Sequence, residues 1–428
     1  MSAPPSPHPT GPLLRLYLAF SRAVTPLAER HLRKRLTRGK ENPDRWREKL
    51  GEASEARPEG ALVWMHAVGL GEVLALRGLI EEMAALRPDL NFLVTSSARA
   101  SGEVFARNRP ANTQHQYLPL DCPPLITRFL DHWRPDLSVW AEQDLWPAFV
   151  VETARRGISL AMVNARMNAR AYASRRRAGR LYGDLLARFT TIAAQDQDTA
   201  THLRALSGRS DVAVAGSLKA ACAPLADHAE ERARLRTALA GRELWLAAST
   251  HPPDEAVVLA EQARRFAGDA ASLLIIAPRL PDRRDEIMAA CRAAGLGVAQ
   301  RSLGQVPESG DAVWLADSFG EMGLWYRLAP VSLIGGGFGA TGGHNPWEAA
   351  SLGSAILHGP DTANFAADYA QLELASATRT VTGPDDLSVA LDSGDLARMA
   401  ERASAVQAEA RLGATATARE LIALLEAR

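Results

Sequence analysis

Apolar residues in this chain fall into short runs separated by longer amphipathic stretches. The run Leu62 to His66 is followed by a glycine turn and then by a helical period over 73–85. Similar runs at 91–95, 116–118, 137–140, 159–163 and 191–194 read as further strands, mostly separated by helical stretches. A second series follows at 244–247, 273–276, 312–315, 331–334 and 354–357. Strands that alternate with helices form parallel sheets. Two successive series predict an α/β protein of two Rossmann-like domains with parallel sheets facing a central cleft. The boundary falls within 220–242, where an Ala/Glu/Arg-rich helical pattern replaces the strand pattern. The expected units are an N-terminal segment over 1–50, a first domain over 51–220 and a second over 221–428.

The N-terminal segment has a pattern of its own. Over residues 12–26, Leu13, Leu14, Tyr17, Phe20 and Val24 fall on one helical face, with Arg15 and Arg22 opposite. The run is too short and too charged to span a bilayer. From Arg22 to Lys49, ten Lys and Arg residues face four Asp and Glu. An amphipathic helix followed by a basic stretch fits a helix lying on an anionic membrane surface. The same pattern also describes an ordinary surface helix with solvated charges.

Composition narrows the picture. At 428 residues and 47% hydrophobic, the chain can build two separate cores. Its formal net charge of zero gives no global basic field, so no nucleic-acid partner is expected. Cys122, Cys222 and Cys291 are far apart and lack metal-ligand spacing, which suits small core or surface residues in a reducing compartment. The proline-rich start lacks the long apolar core of a cleavable secretory signal.

Open parallel sheets bind ligands beyond the carboxyl ends of their strands, so candidate chemistry is sought in those loops. Glu72, in the first turn of the helix after the first strand, either answers the helix dipole or serves as a general base. Glu142, Gln143 and Asp144 precede Trp146 and Pro147 and form either a helix cap with a hydrophobic anchor or a polar cluster in the cleft. Asn164 and Arg166, in the loop after a later strand, either touch an acceptor phosphate or sugar or shape the loop. His66, closing an apolar strand, reads as a buried, hydrogen-bonded histidine.

In the second half, five consecutive strand ends carry polar or glycine-rich loops. They contain Ser249 to His251, Pro278-Arg279, Asp317 to Glu321, the glycines through Glu348, and His358 to Phe365. The segment Gly342-Gly343-His344-Asn345-Pro346-Trp347-Glu348 suggests a cup of backbone N–H groups at a helix start, suited to a nucleotide phosphate. Asn345 could then read a ribose or base edge and Glu348 could accept from sugar hydroxyls. A plain glycine-rich turn fits the same residues, and His251 and His344 stand open between the two readings. The triplet Asp196-Gln197-Asp198 reads as a solvated helix start, so no metal site is expected.

Taken in order, these segments resemble the 3-deoxy-D-manno-octulosonic acid (Kdo) transferases of lipopolysaccharide synthesis, a GT-B family. The matching residues run along most of the chain. They are Gly39 to Glu41, Arg45, Glu48 to Gly51, Gly71-Glu72, Glu142 to Pro147, Asn164 to Arg166 and Gly216 to Lys219. They continue with Ser249 to His251, Pro278-Arg279, Phe319 to Glu321, Gly342 to Glu348, Gly359-Pro360 and Asn364-Phe365.

The resemblance implies CMP-Kdo as donor, with no further cofactor, and a lipid A precursor as acceptor. By position it implies Glu72 as the base that takes the acceptor proton, with Glu142 and Lys219 stabilising the transition state. It implies that Pro278, Arg279, Phe319, Gly320, Glu321, Asn345, Pro346, Trp347 and Glu348 hold CMP, and that the protein works at the cytoplasmic face of the bacterial inner membrane. Three positions depart from the family pattern. Gly69-Leu70 replaces a Ser-Val pair, Gln143-Asp144 replaces Thr-Glu, and Leu280 replaces a histidine for which Arg283 or Arg284 could substitute. The alternatives are another GT-B sugar transferase, a sugar-nucleotide epimerase, or an inactive membrane-associated homologue. The basic N-terminus counts against epimerases acting on soluble substrates, and retention of Glu72, Glu142, Lys219 and Arg279 counts against an inactive homologue.

Overall fold

In the computed structural model, which describes residues 10–68, 70–107, 109–142, 145–178, 180–221 and 224–427, the apolar runs become the strands of two sheets. The first sheet contains β1 (Leu62–His66), β2 (Asn91–Ser96), β3 (Thr113–Tyr117), β4 (Leu137–Ala141), β5 (Ser159–Ala165), β6 (Thr191–Ala194) and β7 (Ala213–Val214). Their order is β3-β2-β1-β4-β5-β6-β7, with every pair parallel. The second contains β8 (Glu243–Thr250), β9 (Ser272–Pro278), β10 (Gly297–Gln300), β11 (Asp311–Leu315), β12 (Val331–Ile334), β13 (Ala355–His358) and β14 (Thr378–Thr380). Its order is β10-β11-β9-β8-β12-β13-β14, again all parallel.

Both sheets follow one plan. The first strand is central, the chain fills one side (in the second sheet β10 takes the edge before β11 enters between it and β9), then returns to build on the other. Each therefore has a switch point, between β1 and β4 in the first sheet and between β8 and β12 in the second. Connections leave in opposite directions there, opening a crevice at the carboxyl edge. Central strands are buried on both faces, which explains their unbroken apolar sequences. In the first core Trp64 meets Phe129 at 5.0 Å and Trp140 at 5.5 Å, edge to face. Such pairs add about 0.5–1.5 kcal/mol each beyond the area they bury.

Contacts divide the chain into one unit of residues 1–222 plus 410–428 and another of 223–409. This corrects the expected 221–428 domain, because the last stretch belongs to the first unit. The helix Leu396–Glu426 sends Ala414, Ala418, Leu421 and Ile422 into the core beside Val63, Met65 and Val94. Nor do residues 10–50, expected as part of a separate N-terminal segment over 1–50, form a body apart. The helix Pro12–Ala23 buries Leu14 among Trp64, Phe149 and Leu185, and Tyr17 donates to Asp121 at 2.7 Å. The same Asp121 accepts from the N–H groups of Ala148 and Phe149, tying this helix to the start of the helix Pro147–Arg155.

The amphipathic face is split by this packing. Leu14 and Ser21 turn inward and Tyr17 is half-buried, while Leu13, Leu16, Phe20 and Leu27 are 48–66% exposed. Of the ten basic residues that follow, Arg33, Arg35, Arg45, Arg47 and Lys49 pair with nearby carboxylates. Arg22, Arg30, Lys34, Arg38 and Lys40 are exposed and make no ion pair among the described residues.

Candidate active site

The first unit places its candidate residues around the β1–β4 switch point. His66 and Trp140 are in register, and the next residues along are Ala67-Val68 and Ala141-Glu142. Glu72 lies in the first turn of the helix Leu70–Leu86, and its Oε2 accepts from the N–H of Val68 at 3.2 Å. Its carboxylate therefore closes the turn after β1. Glu142 follows β4 with φ 61°, in the left-handed region that few non-glycine residues occupy, and its N–H donates to Val163 O at 3.0 Å. Gln143 and Asp144 lie outside the described residues, as do Gly69 and Cys222.

Asn164 repeats the left-handed conformation on β5, with φ 52°. Its Oδ1 accepts from the N–H of Leu218 at 2.9 Å, and its carbonyl accepts from Gln195 Nε2 at 3.0 Å. Lys219, half-buried and next in sequence, follows β7. The carboxyl edge of one sheet thus carries Glu72, Glu142 and, beside Asn164, the turn with Lys219. His66 is the buried histidine expected: Nδ1 lies 2.9 Å from Thr95 Oγ1, and burial pulls its pKa down to about 3. Asp196 accepts from Thr199 N at 2.7 Å as the cap of the helix Gln197–Ser207, so the Asp-x-Asp triplet is a helix start. Trp146 packs against the core and precedes the helix Pro147–Arg155.

The second unit arranges its candidates along the carboxyl edge in the order β11, β9, β8, β12. Arg279 follows β9, its N–H donating to Thr250 O at 3.1 Å. His251 follows β8, and its Nε2 lies 2.9 Å from His344 Nε2, with the rings stacked. One proton between the two nitrogens makes one ring donor and the other acceptor. Burial lowers the His344 pKa to about 4, helped by His251 and the charge of Arg279. Glu348 keeps partial solvent access, yet lost hydration raises its carboxyl above the usual range, against a hydrogen bond from Asn345 and the charge of Arg279. Arg279, His251, His344, Asn345 and Glu348 therefore form one cluster at the β8–β12 switch point.

The glycine cup is largely satisfied from within. Asp254, buried at the start of the helix Pro252–Gly268, accepts from Gly336 N at 2.8 Å, Phe338 N at 3.2 Å and His251 N at 2.8 Å. Gly343 N donates to Gly336 O, and Asn345 Oδ1 accepts from Trp347 N. The helix behind the cup, Trp347–Ser351, is only five residues long, so it does not supply the dipole of a full helix. Glycine is required where the loops touch, since a Cβ on Gly337 would lie 2.7 Å from Gly359 N.

The remaining candidates divide by exposure. Phe319 is 82% exposed at the tip of the loop after β11, beside Gly320 at φ 86°. Burial would raise the Glu321 carboxyl, but Arg301 and Ser318 outweigh it and hold it below the usual range. Arg301 bridges Glu321 at 2.6 Å and Glu231 at 2.7 Å. Pro278 and Pro346 are buried, and the fully buried Trp347 indole donates to Asp368 at 2.8 Å, so it anchors the loop from the core. Arg283, one of two candidates to replace the histidine absent at Leu280, is committed to Glu255 through two hydrogen bonds of 2.9 Å. Sequence reasoning did not find Asp254 or Arg301. Asp254 had a signal in its capping-box distance from His251. Arg301 had none, because its two acidic partners come from distant segments.

Two seven-stranded parallel sheets, each with its polar residues at a carboxyl-edge switch point, define an α/β fold of the GT-B glycosyltransferase class. Solved structures agree on that fold. A UDP-GlcNAc 2-epimerase from Neisseria meningitidis is similar at TM-score 0.53 and 13% identity, over 86% of this chain and 100% of that one. A glycosyltransferase from Rickettsia africae ESF-5 is similar at TM-score 0.51 and 9% identity, over 85% and 99%. The family model for 3-deoxy-D-manno-octulosonic-acid transferase (kdotransferase) matches residues 44–222. Among curated relatives, the 3-deoxy-D-manno-octulosonic acid transferase of Rickettsia bellii (strain RML369-C) is 32% identical over 82% of this chain and 83% of its own length. The enzyme of the same description from Bordetella pertussis is 35% identical over 72% and 73%. The chain belongs to the 3-deoxy-D-manno-octulosonic acid transferase family, and is a glycosyltransferase of lipopolysaccharide biosynthesis.

Proposed function

We propose that this transferase moves Kdo from CMP-Kdo to a lipid A precursor, with inversion at the anomeric carbon. The observation that carries the reading is that Glu72, Glu142 and Lys219 lie on the first carboxyl edge and the Arg279 cluster on the second. Glu72 takes the proton of the acceptor hydroxyl as its oxygen bonds to the anomeric carbon and the bond from that carbon to the CMP phosphate breaks. Lys219 and Glu142 stabilise charge that develops in the transition state. Arg279 meets the departing phosphate. The exposed Phe319 offers a ring face to the base. Glu348 and Asn345 face the ribose hydroxyls, while Pro278, Gly320, Glu321, Pro346 and Trp347 shape the loops around the nucleotide.

The acceptor is a lipid, and the N-terminal helix suits a site of action at the cytoplasmic face of the inner membrane. Leu13, Leu16 and Phe20 recur at helical spacing on the exposed side, with Leu27 and the exposed Arg22, Arg30, Lys34, Arg38 and Lys40 following. Apolar side chains enter the interface while the cations meet anionic headgroups. Among the described residues no helix is long and apolar enough to cross a membrane.

The test is in vitro transfer from freshly generated CMP-Kdo to a tetra-acylated lipid A precursor, with wild type beside Glu72→Ala. Product from wild type and a loss of about 100-fold or more in the variant, with CMP binding unchanged, is expected. No product from folded, CMP-binding wild type would overturn the proposed substrates. Equal rates would remove Glu72 as the base.

A further inference from the structure

We propose that Asn164 is the positioning residue for Lys219; the inference rests on the transition-state role given to Lys219 above. A lysine side chain is long and mobile, so its ammonium is only as well placed as the backbone beneath it. The backbone before Lys219 is clamped from two sides. On one, Asn164 Oδ1 accepts from Leu218 N at 2.9 Å inside the protein, where Asn164 is 3% exposed. On the other, the Leu218 side chain is buried in the same core cluster as Ala414 and Ala418, and Gly413 presses against Ala215. Within the turn, Ser217 Oγ accepts from Lys219 N at 3.3 Å, and Ser217 O accepts from Ala220 N and Ala221 N.

Two features set Asn164 apart from an ordinary loop asparagine. It holds φ 52° at the end of a buried strand, in the left-handed region that asparagine enters more readily than most residues, and neighbouring contacts fix that conformation. The Gln195 Nε2 bond to its carbonyl is such a contact. Its Nδ2 is also buried and has no hydrogen-bond partner among the described residues. A leucine or alanine would avoid that unpaired donor, but neither would accept from Leu218 N. Glu142 is fixed to the same strand through Val163 O, one residue earlier. The end of β5 is thus a common mount for the two groups proposed to stabilise the transition state.

The experiment is a double-mutant cycle in the transfer assay above. Asn164→Gly keeps a residue that tolerates φ above zero and removes the side chain that accepts from Leu218 N. In the wild-type background kcat is expected to fall by roughly 30-fold, with the KM for CMP-Kdo changed by less than about 3-fold. In a Lys219→Ala background the same substitution is expected to cost less than about 2-fold, because its effect acts through the missing lysine. Equal losses in the two backgrounds, or a loss confined to KM, would overturn the inference and leave Lys219 in place. Full activity of Lys219→Ala would remove the role of Lys219 and this inference with it. Should Asn164→Gly not fold, Asn164→Asp keeps the acceptor for Leu218 N. A kcat within about 5-fold of wild type then supports the clamp, and a loss of about 30-fold overturns it.

Discussion

The two carboxyl edges share a topology and differ in how their polar groups are used. On the second, Asp254 serves three N–H groups, Glu255 holds Arg283, Arg301 joins two carboxylates, and the His251 and His344 nitrogens satisfy each other. On the first, His66 Nε2, Ser97 Oγ and Asn164 Nδ2 are buried without partners among the described residues, while left-handed backbones occur on both edges, at Glu142 and Asn164 on the first and at Ser249 on the second. A wired edge suits a nucleotide, whose shape is fixed and whose phosphate needs dipoles already in place. An edge with unspent polar groups suits the side chains that act on the reacting atoms. The proposed division of labour thus sets binding on the more fully satisfied edge and catalysis on the less satisfied one.

The strongest way to break this contrast is to substitute across it. Lys219→Ala and Glu142→Gln are expected to lower kcat by about 100-fold with little change in CMP affinity, whereas Arg279→Ala is expected to weaken CMP binding first. Turnover and calorimetry together check this, and matching profiles from the two edges would dissolve the distinction. Next in size is Asp254→Ala, which strands three N–H groups and is expected to cost the second unit about 3 kcal/mol along with its CMP binding. Denaturant unfolding with and without CMP measures both.

Acid sharpens the comparison from the other side. Burial pulls His66 and His115 down to about 3, with Arg45 and Arg109 adding to the effect on His115. In the unfolded chain each imidazole titrates near 6.5, so as pH falls through that value the unfolded form gains a proton that the folded form refuses. Their contribution is complete above about 6.5 and is lost toward about 3, at about 1.4 kcal/mol per pH unit for each imidazole. Hydrogen exchange on the whole chain should show both sheets losing protection from pH 7 to pH 5, since burial also depresses His344 and His358 in the second, and the first sheet still losing it below about pH 4, where folded His344 takes up its own proton. The smallest expected effect on the fold is that of Phe20→Glu. It should leave stability within about 0.5 kcal/mol, as surface changes do, while lowering binding to vesicles containing anionic lipid. Unchanged vesicle binding would count against the docking ridge.

Legibility in the sequence followed burial. Strands at the centre of each sheet are apolar on both faces and were placed within one to three residues. β7, β10 and β14 were missed, and all three are edges. Edge strands need no apolar run: β7 is the exposed pair Ala213-Val214, and β14 is Thr378-Arg379-Thr380. At the remaining edge, β3 begins three residues before the expected run at 116–118, because Thr113-Gln114-His115 carries no apolar signal. The site behaved similarly. Glu72, Glu142 and Arg279 do lie where expected, just beyond the ends of central strands. Trp347 was read as a ligand contact although its ring lies in the core, and Asp254 was missed although it holds the cup. Sequence shows which loop a residue occupies, but not whether its side chain turns toward solvent or back into the protein.

The return of residues 410–428 to the first unit has a consequence for how the protein is made. A ribosome emits the first sheet early, yet Ala414, Ala418, Leu421 and Ile422, which cover Val63, Met65 and Val94, emerge only after the whole second unit. The unit that is begun first is therefore finished last, and until then one apolar face of its sheet, covered early by the helix Leu70–Leu86, lacks the rest of its cover. Chains halted at residue 409 should bind an apolar dye and be cut within the first unit by protease, while the second unit resists. Equal resistance in both units would show that the first sheet folds without its late-arriving helix.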